Sequence, residues 1–258
     1  MSVWIAYGAI LGMMAALALW EAFREQGSLF GARAARWPAN IALSVINAGM
    51  ALFVPLSAIS VAMYSERMSW GLLHLAQTPI FIKIVVSVIA LTFINYALHR
   101  VFHKIPVLWR LHRIHHSDTQ IDSTTALRHH PIEVILVAGL TSGFVLVIGV
   151  DPKSAIAVAL VDQLWAVWTH SALRLPFWLH RWVCLVLVTP LTHRIHHSTD
   201  ARETDTNYGN TVTIWDRLFD THLVEPLRSE TEFETGLEYS DRDSADLDFL
   251  LKLPFRKA

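Results

Sequence analysis

Five long apolar runs restrict this chain more than any other feature of its sequence. They cover residues 3–20, 41–63, 79–98, 132–150 and 154–173. A bilayer core of about 30 Å is crossed by roughly 20 helical residues, so the first four lengths suit membrane spans, and the fifth is interrupted by Asp162 and Gln163. Asp151-Pro152-Lys153 leaves only a tight connection between the last two runs, so residues 132–173 are expected to form a helical hairpin that enters the membrane and returns. A shorter run, 183–191, cannot span and is expected at the interface or against the bundle. Composition agrees: 53% of residues are hydrophobic and only 17% are charged, against about a quarter charged in soluble domains. The expected class is all-α, a polytopic membrane bundle of four to five spans.

Sidedness follows from the basic residues. No basic residue precedes the first run and "WEAFREQG" offers no small-residue cleavage site, so that helix is expected to be retained. Arg24, Arg33 and Arg36 follow the first run, only Arg67 the second, and Arg100, Lys104, Arg110, Arg113 and Arg128 the third. The positive-inside rule then places the N-terminus outside and the region from His99 to Arg128 in the cytoplasm. The hairpin brings the region after Arg174 back to the same side. The expected organisation is N-terminal transmembrane helices over 1–98, a histidine-rich region over 99–222 that includes the hairpin, and a polar C-terminal tail over 223–258. Net charge is −1 and no nucleic-acid motif is present, so DNA and RNA are not expected partners. The single cysteine, Cys184, lies in an apolar run and reads as a small buried hydrophobe.

The hexapeptide HRIHHS occurs at 112–117 and again at 193–198. Its histidines, His112, His115 and His116 and then His193, His196 and His197, fall at i, i+3 and i+4, one face of a helix. His99 and His103, four apart at the end of the third run, also point one way. Neutral imidazole is a good ligand for iron, zinc, copper or nickel, whereas unliganded buried rings would each need hydrogen bonds. Eight such side chains exceed what one ion takes from protein, which points to two. His170, near the end of the hairpin's return, and His130, in "RHHPIE", are positioned to complete the shell.

The order H-x3-H, H-x2-H-H, H-P-x-E, a lone histidine, and H-x2-H-H followed by "NYG" and "WDRLF" resembles the fatty acid hydroxylase superfamily, membrane diiron oxygenases related to sterol desaturases. It runs from about His99 to Thr221. The resemblance implies two non-haem iron ions, O2 as co-substrate, and hydroxylation or desaturation of a lipid C–H bond. Matching residue by residue, it assigns His99, His103, His112, His115, His116, His193, His196 and His197 as ligands, with His170 as an addition and His130 in the H-P-x-E position. Electrons are expected from a separate donor of ferredoxin or cytochrome type, and the location expected is a bacterial inner membrane. One departure is Asp220, where the family usually has the glycine of "WDRLFGT"; if that position needs positive φ, Asp is a tolerable substitute.

Other polar residues receive plainer expectations. His74 and His222 read as interfacial or surface histidines, His129 as a neighbour of His130, and His180 as structural. Trp165, Trp168, Trp178 and Trp182 read as an aromatic belt. Glu133 is a candidate partner for a ligand imidazole but is equally placed by the dipole of the helix after Pro131. Asp118, Asp122 and Asp216 are similar candidates. The acidic run "RSETEFETGLEYSDRDSADLDF" reads as a solvated tail. The competing function is a non-catalytic membrane metal-binding or transport protein; transport would favour ligands at mid-membrane in broken helices. A b-type haem carrier would use two axial histidines and leave the others without a role.

Overall fold

The computed structural model describes residues 3–24, 32–53, 57–228, 233–237, 239 and 241–256. Residues 54–56, inside the second apolar run, and 229–232, 238 and 240, inside the acidic run, lie outside the described residues. The helices are α1 (Val3–Arg24), α2 (Ala32–Phe53), α3 (Ala58–Met68), α4 (Leu72–Leu75), α5 (Ile80–Lys104), α6 (Pro106–His116), α7 (Pro131–Ile148), α8 (Pro152–His170), α9 (Phe177–Val183), α10 (Pro190–His196), α11 (Ala201–Thr204), α12 (Ile214–Leu218), α13 (Asp241–Ala245) and α14 (Leu247–Lys252). No strand is found among the described residues, only isolated antiparallel bridges at Leu187–Val212 and Ser198–Thr235.

The start and stop signals that shape the site are local. Proline, whose fixed φ suits the first helical turn, opens α6, α7, α8 and α10. Asp151 caps α8 by accepting from Ser154 N, and Thr189 and Thr192 form a capping box on α10. Gly149, at φ 76°, ends α7. A Cβ on Gly71, itself at φ 103°, would lie 2.4 Å from Gly149 Cα, so the turn before α4 and the end of α7 can touch only as glycines.

The apolar runs are realised unevenly. Among the described residues, α5 and α7 are long and apolar enough to cross a membrane, and the apolar part of α1, Gly8–Phe23, is shorter. The expected second span is not one helix. Ser57 starts a new N-cap there, its hydroxyl accepting from Ser60 N, and α3 begins afresh. Outward faces are apolar: Phe81, Val88 and Ile89 on α5 and Leu140 and Val147 on α7 are exposed. The interior is unusually polar, with buried histidine, aspartate, arginine, serine and threonine outnumbering buried apolar side chains. That inversion suits a protein whose outer solvent is hydrocarbon and whose interior must satisfy its polar groups internally.

The C-terminal segment is not wholly solvated. Phe249, Leu250 and Leu253 are buried in one cluster with Ala39 and Leu43 of α2 and Ile114 of α6. Further up the chain, Glu234–Gly236 bridges the two boxes: Thr199 N donates to Glu234 O (3.1 Å), Gly236 N to His197 O (3.2 Å) and Thr235 Oγ1 to Thr119 O (3.1 Å). Arg128, fully buried, donates to Ile114 O, Asn40 Oδ1, Ser244 O and Ser117 Oγ, fastening α13 beneath the first box. The acidic composition concealed the apolar residues at 249–253 that give this segment a face to bury.

Candidate metal centre

Nine histidines converge from four helices. His99, His103, His112, His116 and His196 form one group and His115, His170, His193 and His197 a second; within each, the nitrogens lie within 4.8 Å of one another. The groups adjoin where the His116 and His197 rings stack, 4.3 Å between centroids. α5 and α8 both end in histidines of these groups, while α6 and α10 each carry one hexapeptide.

The tautomers of three of these rings follow from their partners. His99 Nδ1 lies 2.8 Å from Tyr208 O, His196 Nδ1 2.7 Å from Thr206 O, and His170 Nδ1 2.7 Å from Ala166 O. A carbonyl oxygen can only accept, so each Nδ1 carries the hydrogen and each Nε2 presents a bare lone pair. Yet His99 Nε2 and His196 Nε2 are 2.9 Å apart, two lone pairs facing one another. A shared proton would relieve this, but burial pushes His196 down to about 3. Burial likewise holds His115, His116, His193 and His197 well below the ordinary imidazole range, in the neutral form that ligates. A cation between the rings is the remaining remedy.

Distances agree with that reading. Two imidazole nitrogens each about 2.1 Å from one ion and at right angles to each other stand about 3.0 Å apart. In the second group Nε2 of His170 is 3.0 Å from that of His115 and 2.8 Å from that of His193, which is 3.2 Å from that of His197. In the first, Nε2 of His103 and His112 and both ring nitrogens of His116 are buried with no hydrogen-bond partner among the described residues, a costly state unless they bind something. The donor set fits a pair of imidazole-ligated metal ions.

The groups around these rings fix them in place. Glu133 Oε1 accepts from His112 Nδ1 at 2.7 Å, so this carboxylate orients one ring of the first group. Asp216 accepts from the backbone N–H of Tyr208 and Gly209, both at 2.8 Å, and so holds the "NYG" turn whose carbonyl anchors His99. A Cβ on Gly209 would come within 2.4 Å of Val212 O, which explains the glycine. His180 acts on the second box indirectly, with Nδ1 2.9 Å from Thr189 Oγ1 at the cap of α10 and Nε2 3.0 Å from Val224 O. Asp118 and Asp122 pair with Arg36 of α2. Asp220 stands at φ 55°, the left-handed conformation that glycine would adopt more easily.

His130 departs from expectation. Its Nδ1 accepts from Ile132 N at 3.1 Å as the N-cap of α7, its Nε2 lies 3.3 Å from Leu251 O, and it joins neither group. The proline that follows it makes it a capping residue. His129 is closer to the centre than a mere neighbour: its ring stacks on His115 at 4.5 Å and its Nδ1 lies 3.2 Å from Glu133 Oε1. His74 and His222 stand outside both groups, as expected.

Comparison with known proteins matches the fatty acid hydroxylase family over residues 84–221, more than half of the chain and all nine converging histidines. The chain belongs to this family. Among curated relatives, alkylglycerol monooxygenase of Xenopus tropicalis is 33% identical over 131 residues, covering 50% of this chain and 28% of that protein. Ornithine lipid hydroxylase OlsE of Rhizobium tropici is 28% identical over 159 residues, 60% of this chain and 46% of that one. A cholesterol 25-hydroxylase-like protein of Danio rerio is 26% identical, with 70% of each chain covered. The chain thus matches 28% and 46% of the length of the first two of these relatives. No solved structure matches. Family membership is thus accompanied, among the described residues, by two helices, α5 and α7, long and apolar enough to cross a membrane.

Proposed function

We propose that this protein is a membrane-bound diiron oxygenase that hydroxylates or desaturates a C–H bond of a lipid, using O2 and electrons from a separate donor of ferredoxin or cytochrome type. The observation that carries the reading is the pair of adjoining histidine groups with bare Nε2 lone pairs aimed at common points. Its family supports it, and so do relatives whose names denote hydroxylation or monooxygenation of lipids. The ligands proposed are His99, His103, His112, His116 and His196 for one ion and His115, His170, His193 and His197 for the other.

When bound, the iron pair would supply the redox chemistry that activates O2. The chain's own residues do the rest. Tyr208 O, Thr206 O and Ala166 O hold the Nδ1 hydrogens of His99, His196 and His170 and turn each Nε2 inward. Glu133 keeps a negative charge on the far side of His112, raising the basicity of that ligand. Phe102, Ile114, Ile195 and Tyr208, all fully buried, exclude water around the rings. The ends of α5 and α8 bring the centre to the bilayer boundary, where an acyl chain or sterol can approach without crossing water. The proposed orientation is N-terminus outside and boxes cytoplasmic in a bacterial inner membrane.

The test is metal content and electronic spectrum of protein purified from iron-supplemented cells, followed by mass analysis of membrane lipids. Two irons per chain with no haem band, and lipids that gain one oxygen or lose two hydrogens, are the expected results. Bound metal without lipid turnover under reducing conditions would favour a metal-binding or transport role instead.

A further inference from the structure

Two helices gauge the depth of the segments flanking the second box. α5 and α8 both run toward the metal centre and end in its ligands, so distance back along either helix is depth beneath the centre, at about 1.5 Å per residue. On α5, Thr92 Oγ1 accepts from Trp215 Nε1 (3.2 Å), the Phe93 ring meets Trp215 edge-on at 5.1 Å, and Tyr96 stacks on Phe219 at 5.5 Å. Thr92 is about 10 Å back from His99 by that rise, which sets α12 well below the histidines. α8 gives an independent measure. Asp162 Oδ1 accepts from Thr211 Oγ1 (2.5 Å), and Trp165 Nε1 donates to Val188 O (2.8 Å). These contacts lie about 12 Å and about 8 Å back from His170.

The segments at this depth satisfy their own backbone. Val188 N donates to Thr211 O (2.9 Å) and Thr213 N to Val186 O (3.0 Å), pairing 186–188 with 211–213 as lipid requires of any inserted chain. Their outward side chains are apolar: Val186 is 63% exposed, Ile214 59% and Leu218 66%. This surface continues the exposed Val88 and Ile89 face of α5, the helix long enough to cross a bilayer. Trp178 and Trp182 of α9 are exposed as well; the exposed charges on and next to α9 and α12 are Arg174, Arg181 and Arg217, with one exposed acid, Asp220, just after α12. Residues 171–191 contain no acidic residue, and Asp216, the acid within 211–219, is buried.

We infer that residues 177–188 and 211–219 form a half-membrane insert in the leaflet on the side of the metal centre. Val186, Ile214 and Leu218 sit among acyl chains, Trp178 and Trp182 at the interface, and Arg181 and Arg217 against lipid phosphates. The second box is therefore flanked by lipid. The inference rests on the reading of α5 as a membrane span, and the experiment separates the two.

Nitroxide labels are placed at Val186→Cys and Leu218→Cys, in a Cys184→Ala background and in nanodiscs of phosphatidylethanolamine and phosphatidylglycerol. Collision with O2 and with a water-soluble nickel chelate is measured for each. Ile89→Cys on α5 and Asp248→Cys on α14 are the lipid and water references. All four sites are exposed, so the labels displace no packing, and unchanged metal content confirms the fold. The expected result is an O2-to-nickel ratio at 186 and 218 several-fold above that at 248 and approaching that at 89, which lies deeper on α5. A ratio like that at 248, with 89 in lipid, overturns the insert and leaves the membrane reading standing. Low collision with both reagents at 186 and 218 overturns it as well, because a second copy or another protein then covers the face. If 89 itself behaves like 248, the membrane reading fails and the insert with it.

Discussion

In the first copy of HRIHHS, His112 and His116 enter the five-membered group while His115 crosses to the other; in the second copy, His193 and His197 enter the four-membered group while His196 crosses. The two copies trade one histidine each about the stacked rings of His116 and His197. Helical geometry accounts for the trade, since residues at i and i+4 lie close in azimuth and the one at i+3 diverges to the other side. The surroundings then break the symmetry. His112 donates to the Glu133 carboxylate, whereas His193 Nδ1 has no hydrogen-bond partner among the described residues. Ser117 Oγ accepts from Arg128, while Ser198 Oγ donates to Glu203. The hexapeptide thus sets where the rings point, and the residues around it set how basic each ring is. On the proposed diiron reading, the two sites should differ in metal affinity.

The strongest test of the trade is to remove a crossing ligand. His196→Ala, in the second copy, should strip the first group, with metal and activity falling together. The loss should be at least about 100-fold, since partners outside the ligand shell already cost 10–100-fold; unchanged metal content by elemental analysis would break the assignment. Glu133→Gln sharpens the asymmetry. It should weaken one metal about 10- to 100-fold and leave the other, so that competition with a chelator releases metal in two stages instead of a single one. Equal weakening of both would mean that the carboxylate serves the whole cluster.

Smaller effects come from the segment that joins the two copies. Gly236 stands at φ 100°, and a Cβ there would lie 3.0 Å from Thr119 Cα. Gly236→Ala should lower stability by about 1–3 kcal/mol, seen as a reduced Tm in detergent, with metal stoichiometry preserved. Least of all, His130→Ala should cost about 1 kcal/mol through the lost cap on α7 and leave metal content unchanged. Metal loss in that variant would restore His130 to the ligand shell.

Much of the centre was legible because helical spacing is a property of sequence: the i, i+3, i+4 pattern and the pairing of His99 with His103 needed no tertiary information. The anchors of the rings were less so. Three of them are backbone carbonyls, of Tyr208, Thr206 and Ala166, and a carbonyl has no residue type to reveal it. His130 misled because an imidazole ahead of Pro131 can cap a helix as readily as bind a metal, and only its contact with Ile132 N separates the two. The second apolar run broke because hydropathy carries no record of where Ser57 and Ser60 form a cap. The C-terminal segment was hidden by its average composition, since Phe249, Leu250 and Leu253 are few among many acids.

The traded ligands also bear on how the protein matures. Neither histidine group is complete until the second hexapeptide has been synthesised and has folded against α6, and the chain between them includes the whole of α7 and α8. A nascent chain that ends before the second copy holds four of the five rings of the first group but only two of the four of the second, so on the proposed ligand set the second group is the later to be completed.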